Sequence, residues 1–318
     1  ATADSAMLVV VGAPFVLNNR LFNVAVVMQQ GEILAIVPKS HLPNTREFYE
    51  ARWFSRAEEI NDSFVCWQGR QVPIDENILL VDQASDLKIA IEICEDMWVP
   101  NAPSIRHAQR GANLILNLSS SPETVGKSAL RRRLVQGHSI NQIVAYAYAS
   151  SSHTDSTSDV IFSGHCLIAE KGDILYEDRF MQHGQLGWAD IDYDGLQLER
   201  LRSHSFAHVN ADYRLIGFSR DDDSRTLSRK VEPFPFLPTQ EIDSYYQDVL
   251  MLQALGLSQR LIKTGIRNSH IGLSGGLDST WALIVIKTAH EMAGLPLEHI
   301  KAITMPGFGT TDDTKQQA

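Results

Sequence analysis

Residues 1–218 alternate short apolar runs with amphipathic stretches, a pattern that predicts strands and helices following one another along the chain. The spacing of the apolar residues predicts helices at 104–110 and 128–141. Strands that alternate with helices are typical of a layered α/β domain. The predicted strands lie at 7–11, 23–29, 33–38, 87–93, 113–117, 143–149, 162–168 and 186–191.

Residues 219–240 break this pattern, because a run of charges and then three prolines follow without periodicity, which predicts a linker. Residues 241–318 begin with a long amphipathic helix at 241–264 and then read as strand, helix and strand. That order predicts the start of a parallel α/β domain. The helix predicted at 280–292 is apolar on nearly all sides, so we expect it to be buried.

Composition narrows the class of protein. The net charge of −10 argues against a nucleic-acid partner, and no apolar run is long enough to suggest a membrane partner. The three cysteines are far apart and form no C-x-x-C pair, which argues against a disulfide framework and favours a reducing, cytoplasmic setting. The basic cluster 131–133 lies in a predicted helix and is expected to be a solvated face or a subunit contact.

A glycine-containing loop between a short strand and an apolar helix is the strongest chemical signal in the second domain. Two glycines allow a sharp turn and close approach to a ligand, and the helix start offers open N–H groups to an anion. The loop has neither the Gly-Lys-Ser/Thr of a Walker loop nor a G-x-G-x-x-G fingerprint. A plain helix cap after a tight turn is the alternative. The loop residues are Ser274, Gly275, Gly276, Leu277, Asp278 and Ser279.

A second candidate site follows from two predicted strand ends in the first domain. Cys94 closes one strand and is followed by polar residues, whereas Lys39 closes another and opens a polar loop. A lone cysteine is more often a small core residue than a nucleophile. With Glu50 in the same loop region, however, the three side chains are predicted to share the rim of one sheet.

These motifs together resemble a known family. Segment 38–50, with its Pro-Lys, Leu-Pro-Asn and Arg-Glu-Phe-Tyr-Glu elements, looks like the lysine segment of nitrilase-type glutaminase domains, and segment 93–98 resembles their nucleophile segment. The S-G-G-x-D-S loop looks like that of ATP pyrophosphatases. The combination is similar to bacterial two-domain glutamine-dependent NAD synthetases, which are ligases. This resemblance implies a nitrilase-like α-β-β-α sandwich, followed by the start of a Rossmann-like ATP pyrophosphatase domain.

The resemblance also implies roles for particular residues. Cys94 would attack the side-chain amide of glutamine, Lys39 would stabilise the oxyanion, and Glu50 matches a supporting glutamate. Glu95, Ser121 and Lys127 match positions that hold glutamine, although relatives often carry arginine where this chain has Lys127. From residue chemistry alone, a plain loop after a strand is the preferred interpretation of 119–121.

For the second domain, the resemblance implies that the loop 274–279 holds the phosphates of ATP. Asp278 would repel a phosphate unless Mg²⁺ lay between them, so a metal bridge at Asp278 is expected. ATP would adenylate deamido-NAD, and ammonia from glutamine would displace AMP to give NAD. Relatives suggest a homo-oligomer.

The chain is expected to be cut through a domain at each end. The family's general-base glutamate lies upstream of the lysine segment, and Glu32, Glu47 and Glu50 do not match its position. We therefore expect the base to lie upstream of Ala1, most deamido-NAD contacts to lie beyond Ala318, and this chain alone to be a weak glutaminase.

Two alternatives stay open at the level of the sequence. One is a stand-alone nitrilase-type amidase whose C-terminal region only binds a ligand. The other is an inactive fragment that retains nucleotide affinity. Another amidotransferase with a pyrophosphatase loop, such as a GMP synthetase, agrees less well, because its glutaminase domain is of a different type.

Overall fold

The computed structural model describes residues 2–155, 160–180, 186–206, 212–220, 227–229, 231, 233–234, 236–237 and 241–305. The chain divides into two compact units, Ala1–Arg229 and Lys230–Ala318, and the boundary falls inside the predicted linker. The C-terminal part of the predicted second domain, from 306 onward, lies outside the described residues.

The first unit contains two main sheets. One is antiparallel with the order β1-β2-β3, formed by Val9–Leu17, Arg20–Gln29 and Glu32–Pro38. The other has seven strands in the order β11-β10-β9-β8-β7-β6-β12, with β7, β8 and β9 mutually parallel. A small hairpin pairs β4 with β5. The bounds are β4 Phe64–Trp67, β5 Arg70–Pro73, β6 Ile78–Asp82, β7 Lys88–Ile93, β8 Leu114–Ser119, β9 Ala145–Ser150, β10 Cys166–Glu170, β11 Asp173–Asp178 and β12 Arg214–Phe218.

Strand β7 shows how the layers are held together. Side chains alternate between the faces of a strand, so Ile89, Ile91 and Ile93 enter one apolar cluster while Ala90 enters another. The isoleucines pack with apolar residues of β2 and β3, and Ala90 packs with the helix side of the large sheet. A strand that is buried on both faces reads as a nearly continuous apolar run, which is why this strand was predictable.

Helices cover the other face of the large sheet. These are α1, Pro103–Gln109, and α2, Lys127–Gln142. A further helix, α3, Tyr193–Arg202, begins with a residue that packs against the cluster of the β7 isoleucines. Ala108 of α1 and Val135 of α2 belong to the core cluster that includes Ala90. The three-stranded sheet packs on one side of β7 and helices pack on the other side. This gives the predicted layered α/β arrangement.

The prediction of a strand at 186–191 is wrong. Its residues are described without strand pairing and lead directly into α3. Five strands of the described first unit were not predicted, β4, β5, β6, β11 and β12, and β11 and β12 occupy the two edges of the large sheet.

The basic cluster 131–133 also differs from the expectation of a solvated face. Arg131 is fully buried, whereas Arg132 and Arg133 are exposed. Arg131 Nη1 donates to Glu123 Oε2 at 3.1 Å, and it lies 2.8 Å from Nδ1 of His165. Because residues four apart share one face of a helix, Arg131 lies beside buried Val135 and faces inward.

The second unit consists of α4, Ile242–Thr264, β13, Ser269–Leu273, α5, Leu277–Ala293, and β14, Ile300–Thr304. Strands β13 and β14 pair in parallel, as the strand–helix–strand pattern predicts. The expectation that α5 is buried is wrong, since Val285, Ala289 and His290 are its only buried residues in this part of the structure. In the described part of the unit, α5 packs against α4 and a two-stranded sheet, which cannot surround it.

None of the described helices combines the length and apolar character that crossing a bilayer requires.

Replacing Arg131 with Met should lower the free energy of unfolding by about 3–5 kcal/mol, because the buried carboxylate of Glu123 then keeps only Ser163 and the more distant cation of Arg179 as described partners. Urea unfolding followed by circular dichroism measures this loss. Arg133→Met is the matched control on an exposed position of the same helix and should change stability by less than about 0.5 kcal/mol. Equal losses in both variants would contradict this account of the buried pair.

Candidate active site

A cavity of about 750 Å³ in the first unit contains the main cluster of candidate residues. Lys39, Glu50 and Cys94 all line it. The structure therefore brings together the three residues that the sequence singled out. The prediction that the three side chains share the rim of one sheet is wrong. Lys39 follows β3 of the three-stranded sheet, and Cys94 follows β7 of the seven-stranded sheet.

The backbone at Cys94 is strained. It leaves β7 and begins a 3₁₀ turn, Cys94–Met97, with a φ of 47° in the left-handed region. A side chain other than glycine in this region costs of order 1–3 kcal/mol, which the surrounding structure must offset. The turn leaves Cys94 half-buried in the cavity wall, where its thiol is not sealed in the core.

Lys39 and Glu50 form an almost buried ion pair beside Cys94. The Nζ atom of Lys39 lies 2.5 Å from Oε2 of Glu50, and the Lys39 side chain is only 3% exposed. The second carboxylate oxygen of Glu50 accepts from Nδ2 of Asn23 at 2.8 Å. Lys39 is also fixed through its backbone, because its N–H donates to the carbonyl oxygen of Asn23 at 2.9 Å.

None of the three glutamates considered as a general base is poised to act as one in this structure. Both oxygens of Glu50 are engaged by Lys39 and Asn23. Glu32 begins β3 and pairs with Arg70 at the surface, and Glu47 is exposed. Among the described residues that line the cavity, Glu50 is the one carboxylate.

The three predicted glutamine contacts lie in different surroundings. Glu95 follows Cys94 directly, and burial raises the pKa of its carboxyl while the charge of Lys39 opposes that shift. Lys127 begins α2 with Nζ 5.7 Å from the ring centre of Trp98, and burial lowers the pKa of its amine. Ser121 is buried and does not belong to the described cavity lining.

A set of hydroxyl groups that were not predicted to belong to a site lines the cavity. They come from the ends of β8 and β9, where the N–H of Ser151 donates to the carbonyl oxygen of Ser119 at 2.9 Å. Parallel strands end at the same edge of a sheet, and the doubled serines after two predicted strands were the signal for this. The lining serines are Ser119, Ser120, Ser150 and Ser151.

The glycine loop of the second unit is described by itself. Gly275 has a φ of 77°, which favours glycine, and Gly276 caps α5 in an extended conformation without a side-chain hydrogen bond to the helix start. The Oγ atom of Ser279 donates to the carbonyl oxygen of Gly276 at 3.0 Å. Asp278 is exposed in the first turn. The N–H groups of Ser274 and Gly276 donate to serine hydroxyls, so an anion would draw on the N–H groups of the first turn of α5.

No group of three or more histidine, cysteine, aspartate or glutamate side chains that could hold a metal is found among the residues that the structure describes.

Residues 1–198 match the carbon-nitrogen hydrolase family, so the chain belongs to that family. It is 37% identical over 332 residues to the glutamine-dependent NAD(+) synthetase of Mycobacterium tuberculosis, a match that covers 100% of this chain and 48% of the relative. The identity with the enzyme of the same name from Thermotoga maritima is 27% over 300 residues, covering 93% of this chain and 46% of the relative. The chain thus spans about half the length of these curated relatives.

A solved glutamine-dependent NAD(+) synthetase from Cytophaga hutchinsonii shares 21% identity with the chain, covers 97% of this chain and 49% of its own, and gives a TM-score of 0.48.

The strain at Cys94 leads to a stability prediction. Glycine normally destabilises an ordered segment relative to alanine by about 0.5–1 kcal/mol, but at a positive φ this order reverses. We expect Cys94→Gly to be more stable than Cys94→Ala by about 1 kcal/mol in urea unfolding. Cys166, in strand β10 and without a positive φ, provides the matched pair, and there alanine should be the more stable. Alanine being more stable at both positions would contradict the strain.

Proposed function

We propose that the chain is part of a glutamine-dependent NAD synthetase, with a thiol glutaminase in the first unit and the ATP site in the second. The observation that carries the proposal is the cavity in which a strained, half-buried Cys94 lies beside the buried Lys39–Glu50 pair. The relatives that match the whole chain at 37% identity support the same function.

The thiolate of Cys94 attacks the side-chain carbonyl carbon of glutamine and forms a tetrahedral adduct. The C–N bond then breaks, ammonia leaves after taking up a proton, and a thioester is formed. Water hydrolyses the thioester to glutamate and returns the thiol. Placing the sulfur at a strained turn supports this role, because the turn leaves half-buried Cys94 in the cavity wall at the margin of the apolar core.

The ammonium group of Lys39 donates an N–H hydrogen bond to the oxygen that becomes negative in the adduct. Such a donor in a site shielded from water typically lowers the barrier by about 2.7–4 kcal/mol. Glu50 and Asn23 hold the ammonium in place, which supports a role for Glu50 in positioning rather than in proton abstraction. Lys39 and Glu50 thus act as one unit on the wall opposite the large sheet.

Glutamine itself would be held by Glu95, Ser121 and Lys127. The half-buried amine of Lys127 sits over two aromatic rings, and the charge of Cys94 acts on it favourably, which supports a place beside the cavity. Burial of the carboxyl of Glu95 next to Lys39 supports a second polar contact. None of the three is among the described residues that line the cavity, and Ser121, which is buried next to the lining residue Ser120, has the weaker support.

In the second unit, the loop 274–279 would hold the phosphates of ATP through the open N–H groups of α5. The positive φ of Gly275 and the missing side-chain cap at Gly276 fit such a ligand. Mg²⁺ bound with ATP would bridge Asp278 to the phosphates and neutralise their charge. Asp278 is exposed and carries an oxygen ligand of the kind that Mg²⁺ prefers, which fits this role.

The proposal also includes deamido-NAD as the acceptor of ammonia, the cytoplasm as location and a homo-oligomeric assembly. The three free cysteines support a reducing compartment.

Cys94→Ala should lower glutamine hydrolysis by at least about 10³-fold, because the nucleophile is lost. Cys66→Ala, at an exposed cysteine, is the control and should keep full activity. Coupled assays of glutamate and pyrophosphate, with ATP and deamido-NAD present, measure both half-reactions. Pyrophosphate release driven by free ammonia should survive in Cys94→Ala. Glutamine hydrolysis without pyrophosphate release would favour a stand-alone amidase. Loss of both activities in the unmodified protein would favour an inactive nucleotide binder.

Gly275→Ala should abolish the stabilisation by ATP and Mg²⁺ in thermal unfolding, because a Cβ atom strains the loop at its positive φ. At 100 times the dissociation constant, a ligand stabilises the folded state by about 2.7 kcal/mol. Gly265→Ala is the matched control, since Gly265 also has a positive φ but lies at the end of α4. This control should keep the ATP effect, and a Gly275→Ala protein that ATP still stabilises would refute the phosphate loop.

A further inference from the structure

We propose that Asp96 is a positioning residue that fixes Lys39 and Cys94 relative to each other, an inference that rests on the proposed glutaminase reaction. The two functional side chains come from different sheets, so neither sheet alone sets the relation between them. A misplacement of about 1 Å in a catalytic site can cost 10²-fold in rate. A direct hydrogen-bonded connection, or tie, between the Cys94 turn and the loop that contains Lys39 would therefore matter for the reaction rate.

The first half of the tie is at the cysteine turn. The Oδ2 atom of Asp96 accepts from the N–H of Ile93 at 2.9 Å, and both residues are buried. Ile93 is the last residue of β7 and directly precedes Cys94. Asp96 thus closes the 3₁₀ turn back onto the strand, and this contact helps to hold Cys94 at its strained φ.

The second half of the tie is at the lysine loop. The Oδ1 atom of Asp96 accepts from the backbone N–H of His41 at 2.8 Å and lies 2.9 Å from Nδ1 of the same residue. His41 follows Lys39 by two residues, and the carbonyl oxygen of Lys39 accepts from the N–H of Ala57 at 3.1 Å. The backbone around Lys39 is therefore fixed on both sides.

The charges around Asp96 agree with this arrangement. Its side chain is 2% exposed, and its carboxylate receives hydrogen bonds from two backbone N–H groups as well as the imidazole. The hydrogen bond that His41 donates to Asp96 raises the pKa of His41, with a smaller contribution from Glu76, against the opposing effects of burial and Arg56. Charge-assisted bonds of this kind are about twice as strong as neutral ones.

The test uses the reactivity of the cysteines towards iodoacetamide, followed by peptide mass spectrometry at neutral pH, so it needs no glutamine. In Asp96→Asn, the alkylation rate of Cys94 should fall about three- to tenfold relative to Cys66 in the same molecule, because the thiolate loses its fixed place beside the Lys39 cation. Exposed Cys66 serves as the internal reference. Half-buried Cys166, whose thiol pKa is raised by burial, should stay slow.

Asp82→Asn is the matched control, because Asp82 is also a buried carboxylate and bonds to Ser85 and Arg220 away from the cavity. It should leave the rate at Cys94 unchanged. A second signature is the pKa of His41 measured by NMR, which should fall in Asp96→Asn towards that of an exposed histidine and stay unchanged in Asp82→Asn. Where glutamine turnover is measured, Asp96→Asn should lower kcat with little change in KM.

Equal alkylation of Cys94 in Asp96→Asn and Asp82→Asn would overturn the inference. Faster alkylation of Cys166 in Asp96→Asn would also overturn it, since that result means general loosening of the fold. Failure of the proposed function is a separate result, because an unmodified protein without glutamine hydrolysis still gives readable alkylation rates for all three cysteines.

Discussion

The packing of the three-stranded sheet against the seven-stranded sheet is the constraint on which the candidate active site depends. Ile89, Ile91 and Ile93 point from β7 into the layer shared with β2 and β3. The same strand delivers Cys94 at its end, and β3 delivers Lys39 at its own. Burial of apolar surface therefore decides which strand ends face each other, and the chemistry depends on that packing.

The two walls of the cavity differ in chemical character. The small sheet contributes charge, in the form of the Lys39–Glu50 pair with its Asn23 support, whereas the large sheet contributes the thiol and a row of serine hydroxyls. A substrate amide between them would meet a cation on one side and a nucleophile on the other. This division agrees with the membership of the chain in the carbon-nitrogen hydrolase family.

The sequence made the central strands predictable, because buried strands read as apolar runs, and it placed Lys39 and Cys94 directly after two of them. It did not show which sheet each strand joins, so Lys39 and Cys94 were assigned to one rim. Edge strands such as β11 and β12 escaped prediction because pairing partners, rather than local pattern, decide them. The inward orientation of the Arg131 side chain depends on its ion pair with Glu123, eight residues away.

The glycine turn between a strand and a helix was predictable because its conformation is local, although α5 begins at Leu277 and was predicted to begin at 280. A turn at Gly275 and an uncapped helix start need only a few neighbouring residues to form. The burial of α5 depends instead on what surrounds it, and a local pattern of apolar residues does not supply that information. The conformation of a short loop is therefore easier to predict from the sequence than the burial of the helix that follows it.

The pairing of Lys39 with Glu50 gives the cavity a form of selectivity. Because the carboxylate balances the ammonium at close range, the resting cavity exerts little long-range pull on free anions such as phosphate or chloride. Only an oxygen that gains negative charge in direct contact with the ammonium is stabilised. In the proposed reaction, a neutral amide would therefore enter with little competition from free anions, and the stabilisation would appear as the adduct forms.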